Sequence, residues 1–374
     1  MRLVIDCFKL VKGQGKSLGI YNLTKSLVKH LGENNSGNRE IVVLGNKYNR
    51  QDFSGKGVRF LEMKGNPLNK KFDVWWELVY VNRILGILKA DRVLFPRGFR
   101  PLKCVVPDTV IVHDLIPFYY NERFPGYLNK VENAYIMERL KKSILKADSV
   151  ITVSEYTKRD ILRRFSGAKA RQDSIYVIQN GVNDMEPEVV EAARAERKTA
   201  KAYISAITSP LPHKNATGIL KAYEHYYRNT ENPLPLMIVG IDETEEYYPE
   251  MDPEAAQHVG CISYMKQYDH VCKFIGASRV FLFLSTAEGF GFPPVEAMQL
   301  GVPVVCSDAW SLPEICKDAA VMVDPGDPEA VSDALNSVLE DEHKASDLIN
   351  RGSANVLRFS WKSRTELYQK VLFK

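Results

Sequence analysis

The sequence predicts an α/β protein made of two doubly wound domains, each a parallel sheet covered by helices. Three observations carry this. Short β-branched runs alternate with helix-period stretches from end to end, the pattern of parallel strands joined by helical crossovers. The strand candidates are apolar throughout rather than alternating, as strands buried on both faces must be. The rhythm runs twice within 374 residues, a length that favours two domains of usual size.

In the first half, strands are expected at 2–8, 40–44, 57–61, 92–95, 109–112, 148–153 and 174–178, with helices near 17–31, 72–90, 127–146 and 155–165. The second half places strands at 202–207, 235–239, 279–284, 303–306 and 320–323, and helices near 216–228, 266–277, 293–300, 327–340 and 343–357. The boundary is expected in 181–198, where the apolar rhythm gives way to acids, alanines and a proline. This gives a domain over 1–185, a second over 196–355 and a last segment over 356–374.

A hydrophobic content of 45% with 26% charged residues is that of a globular chain, not a disordered one. No run approaches the roughly 18 apolar residues of a membrane helix. The start MRLVIDCF meets an acid too early for a signal peptide. Cysteines at 7, 104, 261, 272, 306 and 316 form no C-x-x-C pair. They support neither a zinc site nor a disulfide framework, so a cytoplasmic setting is expected. The net charge of +4 conceals an asymmetry: residues 1–185 hold 32 Lys+Arg against 18 Asp+Glu, and the remainder 18 against 28. A basic first half suits an anionic partner such as phosphate or an acidic membrane surface, or simply solubility.

In open parallel sheets, ligands bind beyond the carboxyl ends of the strands, so the loops there are where chemistry is expected. The first βα turn, Lys12 to Tyr21, contains Gly13, Gly15 and Gly19. Gly15-Lys16-Ser17 resembles the end of a P-loop, but Leu10 stands where the first glycine belongs. A dinucleotide fingerprint fails at Leu18. What remains is a glycine-rich turn before a helix, suited to phosphate or to a closely approaching sugar. Strand TVIV runs into His113-Asp114, where a histidine can bond a hydroxyl or stabilise charge. His213-Lys214-Asn215 follows the first strand of the second half, and its lysine can reach a phosphate. The fullest constellation is Glu288-Gly289-Phe290-Gly291-Phe292-Pro293-Pro294-Val295-Glu296 after strand 279–284. Prolines suit a first helical turn, the amides of 289–292 suit an anion, and two carboxylates eight apart suit sugar hydroxyls.

That segment, followed by A-M-Q-L-G-V-P-V-V, resembles the E-x7-E signature of the retaining family 4 glycosyltransferases. Their GT-B fold has two Rossmann-like domains facing across a cleft. Gly19-Ile20-Tyr21, HDLIPF, Ala147-Asp148 through Thr157, Asn180-Gly181-Val182 and Ser311 to Ile315 agree in order. HDLIPF and SLPEI look most like the bacterial mannosyl- and rhamnosyltransferases of surface polysaccharide synthesis. The resemblance implies that Glu296 grips the ribose, and that Glu288 with Gly289, Phe290, Gly291 and Phe292 holds the donor sugar. It implies that Lys214 neutralises the leaving diphosphate, that Gly19 admits it, and that His113 lies beside the transferred sugar. Many relatives carry arginine before that lysine, where this chain has His213. Either His213 is partly charged when diphosphate binds, or another basic residue supplies the second charge.

The donor implied is a nucleotide-diphosphate sugar, GDP-mannose first, with UDP- or dTDP-sugars as the alternative. A nucleotide-sugar epimerase or phosphorylase of the same architecture is a further alternative. No D-x-D triplet occurs, so neither a metal nor another cofactor is expected, and no nucleic-acid reader motif is present. The acceptor is expected to be a saccharide, free or linked to a lipid diphosphate. Residues 72–90, with Trp75, Trp76, Val79, Tyr80 and Arg83, and the basic run 139–146 either lie on an anionic membrane or face the first domain's core. The segment from Trp361 to Lys374 is expected to return to the first domain, as in similar proteins.

Overall fold

The computed structural model describes residues 1–13, 18–183, 185–199 and 201–374. They form two compact units, Met1–Asn183 with Phe359–Lys374, and Asp184–Arg358. The first is built on β1 (Arg2–Asp6), β2 (Glu40–Gly45), β3 (Val58–Glu62), β4 (Arg92–Phe95), β5 (Asp108–Val112), β6 (Ser149–Thr152) and β7 (Ile175–Val177). Every pairing is parallel and the order is β3-β2-β1-β4-β5-β6-β7. All five residues of β5 are buried, Asp108 included. Burial pushes its carboxyl up to about 6, against the Arg100 guanidinium that bonds it at 2.6 and 3.0 Å. The chain leaves β1 towards β2 on one side and returns to β4 on the other. The carboxyl ends of β1 and β4 therefore flank the crevice where such sheets take ligands.

The last helix, Trp361–Leu372, belongs to this unit. Trp361 stacks on His30 of helix Leu18–Glu33 at 5.2 Å between ring centroids. Gln369 Nε2 donates to the Asn34 carbonyl at 3.0 Å, and Val182 N donates to the Phe359 carbonyl at 2.9 Å. A Cβ on Gly181 would sit 2.4 Å from the Trp361 ring. The Asn-Gly-Val segment thus serves here as the seat of a returning helix.

The second unit holds β8 (Ile204–Ile207), β9 (Leu236–Val239), β10 (Val259–Ile262), β11 (Val280–Phe283), β12 (Val304–Ser307) and β13 (Val321–Val323). Their order is β10-β9-β8-β11-β12-β13, again parallel. The switch in direction falls between β8 and β11, whose following loops carry His213-Lys214 and Glu288.

Several elements differ from expectation, among them short helices at Arg50–Phe53, Ser166–Lys169, Pro253–Gln257 and Leu312–Cys316. β10 was not foreseen: it is a short edge strand of half-buried residues with Gly260 inside it, so no apolar run marks it. HDLIPF is not only loop, because Pro117 starts a helix at Ile116–Arg123, with Asp114 Oδ1 accepting from Ile116 N at 2.9 Å. The stretch read as a boundary contains helix Pro187–Thr199, whose Ala193 lies against Gly276 of the second unit. Residues 72–90 are not one helix but α-helix Lys70–Trp75, a π-turn Trp76–Tyr80 and α-helix Val81–Ile87. Their Trp76, Val81 and Leu85 are fully buried in the core, while Trp75, Val79 and Ile87 are exposed. Arg139 is not a surface cation. It is buried in a bond to Glu77 at 3.1 Å, which removes it from the basic run 139–146.

Candidate active site

The loop after β8 closes on a single turn at Pro212–Lys214 and then reverses at Asn215, which is left-handed with φ 57°. Asparagine tolerates that region because its side chain bonds locally. Here its amide accepts from Gly218 N at 3.2 Å, capping helix Ala216–Asn229, and donates to the Leu284 and Pro325 carbonyls at 3.1 Å each. One asparagine therefore ties the β8 loop to the β11 loop.

His213 strengthens the tie. Its carbonyl accepts from Thr286 N at 2.7 Å, from Ser285 Oγ at 3.0 Å and from Thr286 Oγ1 at 3.2 Å. The residue is buried, so its main chain acts as a strut between the two loops rather than presenting a solvated cation. With the loops so held, Lys214 Nζ meets Glu288 Oε1 at 2.5 Å, the two side chains 25% and 12% exposed. Neither figure is that of a freely solvated surface pair.

Past Glu288 the chain turns into helix Phe292–Gln299 through Gly291 at φ 90°. A Cβ there would lie 2.5 Å from Leu312 Cδ2, so both the backbone angle and the space demand glycine. Ser311, fully buried, offers its hydroxyl to the Glu288 carbonyl at 2.8 Å and the Phe290 carbonyl at 3.2 Å. Its one proton is shared between them. Phe290 is buried and its ring packs on Phe292 at 5.0 Å. No acceptor among the described residues takes the amides of Gly289, Gly291 or Phe292. Pro293 and Pro294 fill the next positions, where an N–H would be unused. The turn is thus a set of donors at a helix N-terminus, suited to negative charge.

Glu296 lies one helical turn further on and accepts from the Tyr268 hydroxyl at 2.8 Å. Burial pushes its carboxyl up, and the tyrosine bond opposes this. Tyr268 carried no signal in the sequence, because only the fold brings helix Tyr268–Gly276 beside this carboxylate. Ser311 was legible only as part of a segment, not as the residue that fixes the turn.

Two expected residues belong to the first unit. Gly19 is exposed in helix Leu18–Glu33, and an added Cβ meets no atom within 4 Å, so the chain's own packing does not require glycine there. Gln14, Gly15, Lys16 and Ser17 of that turn lie outside the described residues. His113 follows β5, half-buried, with Nε2 bonded to the Pro96 carbonyl at 2.7 Å. A carbonyl only accepts, so Nε2 carries the proton and Nδ1 is the acceptor. Burial pulls its pKa down to about 4, against the Pro96 bond. Of the two roles expected of it, bonding a hydroxyl or stabilising charge, a lowered pKa and an accepting Nδ1 suit the first.

The comparisons with known proteins agree with this architecture. The family described as Glycosyltransferase Family 4 matches residues 19–186, and Glycosyl transferases group 1 matches 191–354. The O-antigen chain mannosyltransferase B of Escherichia coli is 29% identical over 305 residues, 77% of this chain and 80% of that one. The O-antigen chain mannosyltransferase RfbU of Salmonella typhimurium is 25% identical over 288 residues, 74% and 75% of the two chains. Among solved structures, HepE of Anabaena in complex with UDP-glucose superposes with a TM-score of 0.71 at 15% identity, over 100% of this chain and 99% of that one. Two parallel α/β units with these matches define a glycosyltransferase of the GT-B fold. More narrowly, its first half matches the model of glycosyltransferase family 4 and its second half that of glycosyl transferases group 1.

Proposed function

We propose that this glycosyltransferase moves mannose from GDP-mannose to a saccharide or lipid-linked saccharide in surface polysaccharide synthesis, retaining the anomeric configuration and using no metal ion. The observation that carries the reading is the Lys214–Glu288 contact beside the Gly289–Phe292 turn. In that contact each charge neutralises the other. A nucleotide-diphosphate sugar offers each a new partner: phosphate for the lysine, hydroxyls for the carboxylate.

Bond breaking between the anomeric carbon and the phosphate oxygen leaves negative charge on the diphosphate and an oxocarbenium-like sugar. Lys214 and the amides of the turn take up that negative charge without a metal ion. The acceptor oxygen bonds to the anomeric carbon from the face that the diphosphate leaves, and its proton passes to the departing phosphate oxygen. Glu288 holds sugar hydroxyls, Glu296 the ribose, and His113 Nδ1 accepts from a hydroxyl. Mannose is supported by the names of the two O-antigen relatives. GDP rests on the likeness to that branch. A UDP-sugar is the second reading, favoured by the UDP-glucose bound to HepE.

A thermal-shift panel of GDP, UDP, dTDP, ADP and their sugar conjugates, with EDTA throughout, tests this. Ligand at a hundredfold of its Kd stabilises by about 2.7 kcal/mol. Selective stabilisation by GDP and GDP-mannose is the expected result, whereas selective stabilisation by another nucleotide, or by none until a parallel panel replaces EDTA with Mg2+ or Mn2+, refutes the donor or the metal-free assignment.

The proposal includes peripheral contact with an anionic membrane. Among the described residues no helix is long and apolar enough to cross one. The exposed Trp75, Val79 and Ile87, with exposed Lys70, Lys71 and Arg83 on the same segment, support a surface contact. Co-sedimentation with vesicles containing phosphatidylglycerol, lost at high salt, is expected; no salt-sensitive binding removes the contact.

A further inference from the structure

The crevice between β1 and β4 in the first unit holds a second cluster that none of the roles above uses. A small, half-open cavity there is lined by Asp6, Lys9, Glu77, Phe95, Arg97 and Phe99. Asp6 ends β1 and Phe95 ends β4, so the cavity sits at the switch point of this sheet, where a ligand is expected on topology alone.

Its charges are arranged. Glu77, buried, is held by Arg139 at 3.1 and 3.2 Å through one oxygen and by Lys9 at 3.3 Å through the other. Lys9 also faces Asp73 at 3.6 Å. Asp6 is fixed by the Trp76 indole N–H, at 3.1 and 3.2 Å from its two oxygens, and by Phe8 N at 3.2 Å. An ionised carboxylate has about four acceptor sites, so Asp6 retains capacity towards the cavity. Arg97 is different. Half-buried and close enough to lower the pKa values of Asp6 and Asp73, it has no hydrogen bond or ion pair among the described residues. Five N–H donors on a cavity wall are left for a ligand.

Charge decides what that ligand is. Asp6, Asp73 and Glu77 balance Lys9, Arg97 and Arg139, so the site has no net attraction for phosphate, and a bound anion would face three carboxylates. A neutral polyol meets both signs, since each hydroxyl donates and accepts. Phe95 and Phe99 add a small apolar edge beside these polar groups, against which a ring C–H can pack. We propose that this cavity receives the hydroxyl-bearing edge of one sugar ring of the acceptor saccharide, with Arg97 donating to it and Asp6 accepting from it. The assignment of that sugar as acceptor rests on the transferase reading; the sugar site itself does not.

The test is direct binding to the full chain. Methyl α-glycosides of mannose, glucose, galactose, rhamnose and N-acetylglucosamine are titrated against tryptophan fluorescence, since Trp76 touches Asp6. Sodium sulfate is the anionic probe. At least one glycoside is expected to saturate, and Arg97→Gln, which removes no bond that the fold uses, is expected to weaken it at least tenfold. Asp6→Asn, which keeps an oxygen for Trp76, is expected to weaken it as well. The nucleotide-induced thermal shift of both variants is expected to match wild type, which keeps a failure here distinct from a failure of the donor assignment. Saturation indifferent to Arg97→Gln, no saturation by any glycoside to 100 mM, or sulfate binding that excludes the sugars would overturn the proposal.

Discussion

Lys214 is where structure and chemistry are most easily separated, because its partner is known. Replacing it with methionine keeps the aliphatic stem and removes the charge. Loss of one preorganised donor to a leaving group costs about 100- to 1,000-fold in turnover, roughly 2.7–4 kcal/mol of transition-state stabilisation. The same change leaves Glu288 without its partner. At 12% exposure that carboxylate is neither fully buried nor free. The roughly 3–5 kcal/mol of a broken interior pair is therefore discounted for solvent to about 1–2 kcal/mol, a fall in Tm of some 2–8 °C at the second unit's size. Both effects are present in Lys214→Met, so the double variant Lys214→Met/Glu288→Gln is needed. It removes both charges, and its Tm is expected to return towards wild type while turnover stays low. Turnover is measured as nucleotide release at saturating donor and acceptor, with EDTA. If Lys214→Met turns over within threefold of wild type while its Tm falls, the pair is structural and the leaving-group role is wrong.

Two further predictions follow from the geometry. Gly291→Ala forces a side chain onto a φ of 90° and into Leu312 Cδ2. It is expected to cost about 1–3 kcal/mol and to abolish the nucleotide-induced thermal shift; an unchanged shift would show that the turn does not bind the donor. His113 refuses a proton until about pH 4 in the fold, whereas the unfolded chain accepts one near 6.5. Between those values the unfolded state binds more protons, so stability is lost as the pH falls, by up to about 3 kcal/mol. Asp6 and Asp108, both raised to about 6, act with the opposite sign. The comparison is therefore between wild type and His113→Gln at each pH. Urea midpoints at pH 7 and 4.5 are expected to fall less in the variant, and parallel curves would show that His113 is not held neutral by burial.

The apolar runs that become the inner strands β1, β2, β4, β5, β6, β8, β9, β11 and β12 are continuous in the sequence because both faces of a parallel sheet are buried, so hydrophobicity located them, whereas the edge strands β3, β7 and β13 are largely half-buried and were placed by the strand–helix rhythm. The Glu288–Glu296 block was legible for the same kind of reason: a buried strand, a glycine turn and paired prolines are local constraints written in consecutive residues. β10 was not legible, because an edge strand of half-buried residues carries no such run. Nor was the surface of 70–87, where a π-turn separates buried Trp76 from exposed Trp75. Sequence placed Lys214 and Glu288 on the loops that follow two buried strands, now β8 and β11. Only the tertiary structure could show that the carbonyl of His213 and the amide of Asn215 lock those loops together, that a neutral imidazole is what burial leaves at His113, and that Asp6 and Arg97, 91 positions apart in the sequence, share one cavity. Pattern along the chain records what each residue must do for its own strand or helix. Contacts across a sheet's switch point join loops distant in sequence, and no local period encodes them.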